Sequence, residues 1–469
     1  MHHHHTHVDD EPPPRGFAHL NKTTLLVRKR RPAKRNMETT GKPQREMDGT
    51  DEWHIHGRIY NLRPFASSHP GGAHVLMNVR GTDDLTALYE TSHALVDRDK
   101  IDAIMKKYYV RDAPMPSAVV MEDDGFYRVL VNRIRTYCRK TTTGHRATPW
   151  WWCKSSLLLG GWLAMVGQMW YSTSTCGALA AAVLAGMLNV SVGFVVMHDA
   201  SHSALSGYPV VHEQLARWWC ALSLWDDRLW FKHHVHRHHS FTGDHKLDPD
   251  VLHLMPFIRK HSMGPPSSTH AMPPLHVWQL LVFLLHCVPG MFVGQIIAYA
   301  RWWSRGRLWR MAAVETDIDW LGGCIRWMVL GAAITHPLLA LAYFGSANTT
   351  YAIMILPDHD TERTRAVTTN ATKNADAVDH DRSRRDWGVN QVHHSGNFAT
   401  SNPLVCMFFG GINYQIEHHL FPTMCHVHYP SIQPIVRATC REFGVVYNEY
   451  PTIWSAYASA LRAIVKGNA

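Results

Sequence analysis

Two long apolar runs, separated by only three residues, limit the fold of this chain more than any other feature. The first run covers about residues 154–172 and the second covers residues 176–197, with Thr173, Ser174 and Thr175 between them. Each run approaches the roughly 20 residues that cross the hydrocarbon core of a bilayer. We therefore expect a helical hairpin embedded in a membrane.

The composition predicts soluble parts as well as membrane parts. Apolar residues make up 46% of the 469 residues and charged residues only 18%, below the roughly 25% of typical soluble domains. This much apolar surface excludes an intrinsically disordered chain. The net charge is +9, but the 18 Trp and the apolar runs favour an anionic membrane surface over nucleic acid as the partner.

Two interpretations of the later apolar stretches remain open. Residues 275–300 resemble a span, but Pro289 and Gly290 interrupt it, and four arginines follow at 301–310. The positive-inside rule places such arginines in the cytosol. In the first interpretation, 275–300 is therefore re-entrant or interfacial. In the second interpretation it is the third span.

The first interpretation places the third span at about 318–335 and the fourth at about 338–357, with a turn at His336 and Pro337. The second interpretation has 322–346 as the fourth span. Both predict four crossings that leave the N-terminus, the 198–275 segment and the C-terminal tail on the cytosolic side. The sequence thus predicts a small α+β domain followed by an all-α polytopic membrane domain with four transmembrane helices and interfacial helices.

The expected domain boundaries follow shifts in composition. The histidine tract at the start of the chain resembles a purification tag, and we leave it out of the site argument. Residues 361–385 contain almost no large apolar side chain and predict a mobile loop. The predicted regions are a flexible basic arm (1–50), a haem-binding domain (51–113), a linker with an approach helix (114–150) and the membrane domain (151–469).

A histidine pair in the small domain predicts a haem. His69 opens the turn His69-Pro70-Gly71-Gly72, and His93 follows 24 residues later. Two neutral imidazoles on opposite faces of a haem make a six-coordinate centre that passes single electrons. Proline and the glycines give a rigid turn that lets the backbone approach the porphyrin edge. These residues, with the Gly57–Leu62 strand, resemble cytochrome b5, which implies haem b with His69 and His93 as axial ligands.

Three further histidine clusters predict a metal centre. The chain has 35 His, and seven of them fall in three tight clusters at the cytosolic ends of predicted spans, where packing alone gives no reason to bury imidazoles. In the first two clusters, histidines at i and i+4 share a helix face. The clusters are His198 and His202; His234, His238 and His239; and His418 and His419.

The donor set favours two redox-active metal ions. It is rich in nitrogen, lacks a neighbouring thiolate and has too many ligands for one tetrahedral zinc. Imidazole accepts iron, copper or zinc. A one-electron haem in the same chain needs a redox partner, which zinc cannot be. Iron that activates O2 is therefore the expected metal.

In order and spacing, these clusters resemble the three histidine boxes of membrane fatty-acid desaturases. The most specific match is the segment 413–422, in which Gln415 replaces the first histidine of the third box. Together with the fused cytochrome b5-like domain, this replacement resembles the front-end subgroup. Supporting matches are Asp386-Trp387-Gly388 before Gln391, and Asp248-Pro249-Asp250 after the second box. His236 departs from the pattern, because it adds an imidazole that could substitute for His234.

The resemblance implies an O2-dependent desaturase that receives electrons through the haem. Front-end members insert a cis double bond between an existing double bond and the carboxyl end of a polyunsaturated acyl chain. The implied partners are an acyl-CoA or phospholipid substrate, a cytochrome b5 reductase and membrane lipids, without nucleic acid. The implied location is the endoplasmic reticulum membrane, with the haem and the metal site facing the cytosol. The resemblance also implies that His359, at the end of the fourth span, and Gln415 complete the ligand set of a di-iron centre.

Two other functions remain open at this stage. A sphingolipid long-chain-base desaturase or an acyl hydroxylase also combines cytochrome b5 with histidine boxes. A membrane-anchored electron carrier, with histidines that bind metal only for structure, would not need three boxes.

Overall fold

The computed structural model describes residues 51–252, except for 83, 115, 116, 118, 245 and 246, and residues 320–364 and 386–466. The predicted basic arm (1–50), the ambiguous stretch 275–300, the arginine segment 301–310 and residues 365–385 of the predicted loop lie outside the described residues.

The small domain begins with the expected strand–turn–strand. Strands β1 (Trp53–Ile55) and β2 (Arg58–Tyr60) form an antiparallel hairpin, and the turn between them uses left-handed backbone at His56 and Gly57. A third strand, β3 (Tyr109–Asp112), returns from the end of the domain to pair with β2. The helices of the domain are a 3-10 helix at Arg63–Ser68, α1 (Ala73–Met77), α2 (Thr86–Ser92) and α3 (Arg98–Tyr108).

The second part of the chain is mainly helical. Its first half contains α4 (Phe126–Lys140), α5 (Pro149–Tyr171), α6 (Thr175–Val192), α7 (Pro209–Leu222) and α8 (Asp227–Trp230). Its second half contains α9 (Trp320–Thr335), α10 (Pro337–His359), α11 (Trp387–His394), α12 (Pro403–Phe408), α13 (Gln415–Leu420), α14 (Tyr429–Glu442) and α15 (Ile453–Lys466). Two-residue strands at Asn397–Phe398 and Glu449–Tyr450 pair in parallel.

Two of the described helices are long and apolar enough to cross a membrane. They are Thr175–Ser201, which extends α6, and Pro337–Thr364, which extends α10. Helix α5 covers the first predicted span, and the shorter apolar helix Gly322–Thr335 lies within the third, but neither is among those two. The break between α9 and α10 lies at His336, where the first interpretation places its turn.

Small residues bring the two long apolar helices together. A Cβ added at Gly186 of α6 would collide with the backbone carbonyl of Tyr343 and with Ser346 Oγ on α10. Ser346 Oγ also donates a hydrogen bond of 2.9 Å to the carbonyl of Val183. Such close approach is the way helices associate in a lipid environment, where no hydrophobic force drives them together.

The predicted approach helix α4 packs on the segment that contains the third histidine box. Phe126, Tyr127 and Leu130 on its apolar face are buried in one core with Leu420 and Phe421. Tyr127 Oη donates to the carbonyl of Leu420 at 3.2 Å. The same core includes Ala87 and Ala94 of the small domain. Helix α4 therefore packs against both the small domain and the segment that carries the third box.

Replacing Gly186 by Ala tests the α6–α10 contact. The added methyl group has no space, so we expect a loss of about 1–3 kcal/mol, the usual cost of overpacking, seen as a lower thermal midpoint in detergent. Gly167→Ala on α5 is the control, because a Cβ there meets nothing within 4 Å. Equal midpoints for the two variants would contradict the close contact.

Candidate metal and haem sites

The first box lies at the end of the long helix that continues α6. Residues Gly193–His198 form a π-helix, and Asp199–Ser201 complete the helix before His202. His198 and His202 are buried, and their ring centroids are 4.9 Å apart. π-helical turns are rare and occur often at functional sites.

The second box is also π-helical, which differs from the α-helix that the i and i+4 spacing suggests. The π-helix spans Phe231–His238, and its i→i+5 hydrogen bonds place residues four and five apart on one face. His234 therefore points to the same side as His238 and His239. His239 Nε2 lies 3.4 Å from His234 Nε2.

The third box and His359 complete the cluster. Helix α13 carries Gln415, His418 and His419, all buried. His359 is the last residue of α10, and its Nε2 lies 2.9 Å from Gln415 Nε2 and 3.2 Å from His238 Nε2.

The imidazoles form two groups. His198, His202, His234 and His418 make the first histidine group, and His238, His359 and His419 make the second. Within each group the ligand atoms lie within 4.8 Å of one another. His239 lies between the groups and also clusters with His418 and His419, while Gln415 Nε2 approaches His419 Nε2 at 3.1 Å in the second group.

The spacing of these nitrogens fits two metal ions. Two imidazoles that bind one ion at about 2.1 Å and at right angles place their nitrogens about 3 Å apart. His198 Nε2 and His234 Nε2 are 2.9 Å apart. Among the described residues, His202 Nε2, His418 Nε2 and Gln415 Oε1 are buried without a hydrogen-bond partner. Such groups are costly to bury unless a ligand binds them, so the residues present fit the metals.

Hydrogen bonds on the other side of the rings fix their orientation. Asp248 Oδ1 lies 3.1 Å from His238 Nδ1, and Gln391 Oε1 lies 2.9 Å from His419 Nδ1. His359 Nδ1 lies 2.7 Å from the carbonyl of His394. A partner of this kind fixes the tautomer and leaves Nε2 free to bind a metal. Asp248 and Gln391 belong to supporting matches noted in the sequence, but only the structure shows what they contact.

Burial keeps the cluster neutral, as metal binding requires. Burial, and then the neighbouring imidazoles, lower the pKa of His234, His239 and His418 well below the usual range. The neutral imidazole is the form that binds metal.

His236 points away from both groups. It is buried, and its imidazole hydrogen-bonds the backbone of Asp84 in the small domain. It is absent from the ligand groups of the described residues. The structure therefore places His234, and not His236, beside the other box histidines.

Sequence reasoning missed a buried polar network behind the first box. Asp199 Oδ2 accepts hydrogen bonds from His426 Nδ1 at 2.6 Å and from Trp151 Nε1 at 3.0 Å. Lys154 Nζ lies 2.6 Å from His426 Nε2. Because Nζ of Lys154 contacts the outer nitrogen of His426, the network connects α5 to the residue after His198 and anchors the first box. The Asp after His198 was the only sequence signal for it.

The two predicted haem ligands face each other. The ring centroids of His69 and His93 are 6.2 Å apart, which leaves room for one metal between them. His93 Nδ1 lies 2.7 Å from the carbonyl of Tyr89, and His69 Nδ1 lies 3.2 Å from that of Gly72. Burial, followed by the charge of His93, lowers the pKa of His69 to about 4, so its imidazole is neutral near pH 7.

The glycines after His69 have separate roles. A Cβ on Gly71 would lie 2.9 Å from Cε1 of His69, so only glycine leaves room for that ring. Gly72 has a φ of 93°, which favours glycine, and lies against Pro209. Pro70 is exposed at the tip of the turn.

An apolar cavity lies beside the first histidine group. Its volume is about 330 Å³, and it is lined by α6, α7, α9 and α10. Phe194 and Met197 line it next to His198, and Trp230 lines it while stacking on His234 with ring centroids 4.4 Å apart.

Comparisons with known proteins identify a family for each of the two parts of the chain. Residues 172–451 match the model of the fatty acid desaturase family, and residues 44–114 match the cytochrome b5-like heme/steroid binding domain. The chain is 28% identical over 426 residues to an acyl-lipid (8-3)-desaturase of Physcomitrium patens, which covers 86% of this chain and 85% of that protein.

Other relatives have related names. An acyl-lipid (7-3)-desaturase of Rebecca salina is 28% identical over 441 residues, covering 86% of this chain and 88% of that protein. An sn-1 linoleoyl-lipid 6-desaturase of Synechocystis sp. is 26% identical over 367 residues, covering 72% of this chain and 94% of that protein.

Alanine at His234 should remove metal, whereas alanine at His236 should not. His234 Nε2 faces His198 Nε2 at 2.9 Å, but His236 contacts the small domain. We expect non-haem iron per purified chain to fall by about half or more in His234→Ala and to stay near the wild-type value in His236→Ala. The reverse pattern would mean that His236 is the ligand.

A second pair of variants tests His359. His359 and His336 lie at opposite ends of α10, about 35 Å apart at 1.5 Å per residue. We expect His359→Ala to lose iron and product formation, and His336→Ala, an exposed position, to retain both. Equal iron content in the two variants would show that the metal site forms without His359.

Proposed function

This chain belongs to the fatty acid desaturase family, and we propose that it performs front-end desaturation of polyunsaturated acyl lipids. It is an O2-dependent oxidoreductase that uses haem from its cytochrome b5-like domain and a histidine-bound di-iron centre. The observation that carries the proposal is the convergence of two histidine groups near an apolar cavity, in a chain that also positions a haem-binding pair.

The relatives support the front-end assignment. The acyl-lipid desaturases of Physcomitrium patens and Rebecca salina are each similar to this chain over 86% of its length. Gln415 at the start of the third box agrees with this subgroup. Its amide lies in the second histidine group, where a 180° rotation would turn Oε1 toward the imidazole nitrogens.

We assign the ligands by geometry. The first histidine group would hold one iron, and the second group with Gln415 would hold the other, with His239 between them. His69 and His93 would hold the haem, in the turn formed by Pro70, Gly71 and Gly72. Bound iron supplies the activation of O2 that removal of hydrogen from an unactivated methylene requires.

The residues around the cavity and the histidine groups would position the acyl chain. The apolar cavity would accept part of the acyl chain, because its walls are almost entirely apolar and one of its lining residues, Trp230, stacks on His234 of the first histidine group. The depth to which the acyl chain enters this cavity would then decide which methylene group lies near the metals. Asp248, Gln391 and the carbonyl of His394 hold the histidine rings in place while the substrate binds.

The membrane arrangement follows from the same geometry. The protein is membrane-associated, as its family is, and has two helices that could cross a membrane. Helices α5 and α9 would supply the other two of four crossings. All three boxes and His359 then lie at one membrane face, which we assign to the cytosol. The proposed location is the endoplasmic reticulum, where a cytochrome b5 reductase could reduce the haem.

Feeding experiments test the proposed function. We expect yeast that expresses the chain and is fed a panel of polyunsaturated fatty acids to form products with one new cis double bond on the carboxyl side of an existing one. Gas chromatography of fatty acid methyl esters detects them, and His198→Ala, which removes a proposed ligand, should abolish them. A hydroxylated product, a desaturated sphingoid base or a double bond on the methyl side would contradict front-end acyl desaturation.

A further inference from the structure

Helix α2 of the haem domain is held by the catalytic part of the chain. The helix ends at Ser92, and His93 follows it directly. Arg128 of α4 forms a two-pronged ion pair with Glu90: Nη1 lies 2.6 Å from Oε2, and Nη2 lies 2.7 Å from Oε1. Glu90 is buried, and only 13% of the Arg128 side chain is exposed. The pair therefore joins the haem domain to α4 three residues before the axial histidine.

A second arginine of the same helix holds the chain just after His93. Arg135 Nε donates to the carbonyl of Ala94 at 2.7 Å, and Nη2 donates to that of Val96 at 3.1 Å. The two arginines thus hold the chain just before His93 and just after it. They lie two helical turns apart on α4, because 3.6 residues make one turn.

The histidine boxes reach the same helix. Thr423, which follows the third box, donates to the carbonyl of Thr91 at 3.4 Å. His236, inside the second box, hydrogen-bonds the backbone of Asp84, two residues before α2 begins. Helix α2 therefore contacts α4 and the segment after the third box, and the residues just before α2 contact the second box.

We propose that Arg128 and Arg135 are positioning residues for electron transfer within one chain. They hold the His93 side of the haem domain against the metal-binding segments, so that the haem reduces the iron of its own polypeptide. In each transfer the ferrous haem is oxidised to ferric and the di-iron centre gains one electron. Two transfers, after two reductions of the haem by a reductase, supply the two electrons that each O2 requires. The proposal rests on the function proposed above.

The geometry explains why arginine serves at both positions. A planar guanidinium can engage both carboxylate oxygens, or two carbonyls, with fixed direction. Without Arg128, the buried carboxylate of Glu90 keeps, among the described residues, only His56 Nε2 at 2.7 Å and Arg98 Nη2 at 3.4 Å, both on Oε1 and both from the haem domain itself. The loss of a buried charge pair between two surfaces weakens their docked state. A lysine at 128 would keep the charge but not the two-pronged contact.

The same helix offers a matched control. Arg133 also forms a close ion pair, with Nη2 2.6 Å from Glu442 Oε2, and a hydrogen bond of 2.8 Å to Thr439 Oγ1. Its partners belong to α14 and not to the haem domain. Arg133→Gln therefore removes an arginine–glutamate pair of similar length, though a more exposed one, from α4 and leaves the contacts with the haem domain in place.

The experiment uses full-length protein loaded with haem and iron. The variants are Arg128→Gln, Arg128→Lys, Arg135→Gln and the control Arg133→Gln. The haem is reduced, mixed with O2 and substrate, and its reoxidation is followed by stopped-flow absorbance. We expect haem reoxidation to be about tenfold slower than wild type, or slower still, in Arg128→Gln and Arg135→Gln. Arg128→Lys should recover part of the rate, and Arg133→Gln should have the wild-type rate. The haem spectrum and midpoint potential should be unchanged in all four variants.

Two further measurements separate docking from chemistry. Hydrogen–deuterium exchange of residues 86–97 should increase in Arg128→Gln and Arg135→Gln and not in Arg133→Gln. A soluble cytochrome b5 with its reductase, added in trans, should restore product formation in the slow variants, because their metal site is intact.

The outcomes distinguish the two proposals. Reoxidation and exchange that are the same in Arg128→Gln as in Arg133→Gln would overturn the positioning role. Wild-type protein that forms no desaturated acyl chain would contradict the proposed function, while the exchange of residues 86–97 would still decide whether the arginines hold the haem domain.

Discussion

Convergence of neutral imidazoles from distant segments is the constraint on which the rest of this structure depends. His198, His234 and His418 lie far apart in sequence, yet their rings approach within 4.5–6.0 Å of one another. Buried nitrogens that face each other without a proton between them destabilise a fold unless metal binds them. The long apolar helices end at this point, and α10 delivers His359 there. The metal centre is therefore part of the fold, because it compensates for the burial of these rings.

A second layer of polar contacts makes that convergence specific. The outer nitrogens of the rings meet a carboxylate, an amide and a backbone carbonyl from Asp248, Gln391 and His394. Behind the first box, Asp199 connects His426 to Trp151. These contacts join α5, α6, α11 and the segments around the boxes into one network. The haem domain is attached to the same part of the protein through α2. The fold therefore holds the haem-binding domain beside the histidine groups that would receive its electrons.

Much of the site could be predicted from sequence because spacing carries the information. The pairs at i and i+4 and the His-Pro-Gly-Gly turn follow from local geometry, whereas hydropathy places His359 at the end of a span and only the family resemblance implies that it is a ligand. The π-helical form of the second box was not predictable, since an α-helix fits the same spacing. The direction of His236 and the contacts of Lys154 depend on residues distant in sequence, as do the arginines that hold α2. Hydropathy suggested four spans, but only two described helices meet the criteria for crossing a membrane.

Counting metals in the purified wild-type protein tests directly whether the two histidine groups hold iron. Inductively coupled plasma mass spectrometry gives total iron and zinc per chain, and the pyridine haemochrome spectrum gives haem. We predict one haem and about two further irons per chain, with zinc well below one, because each histidine group would hold one iron. Iron equal to haem, with zinc filling the histidine groups, would contradict a redox centre coupled to the haem.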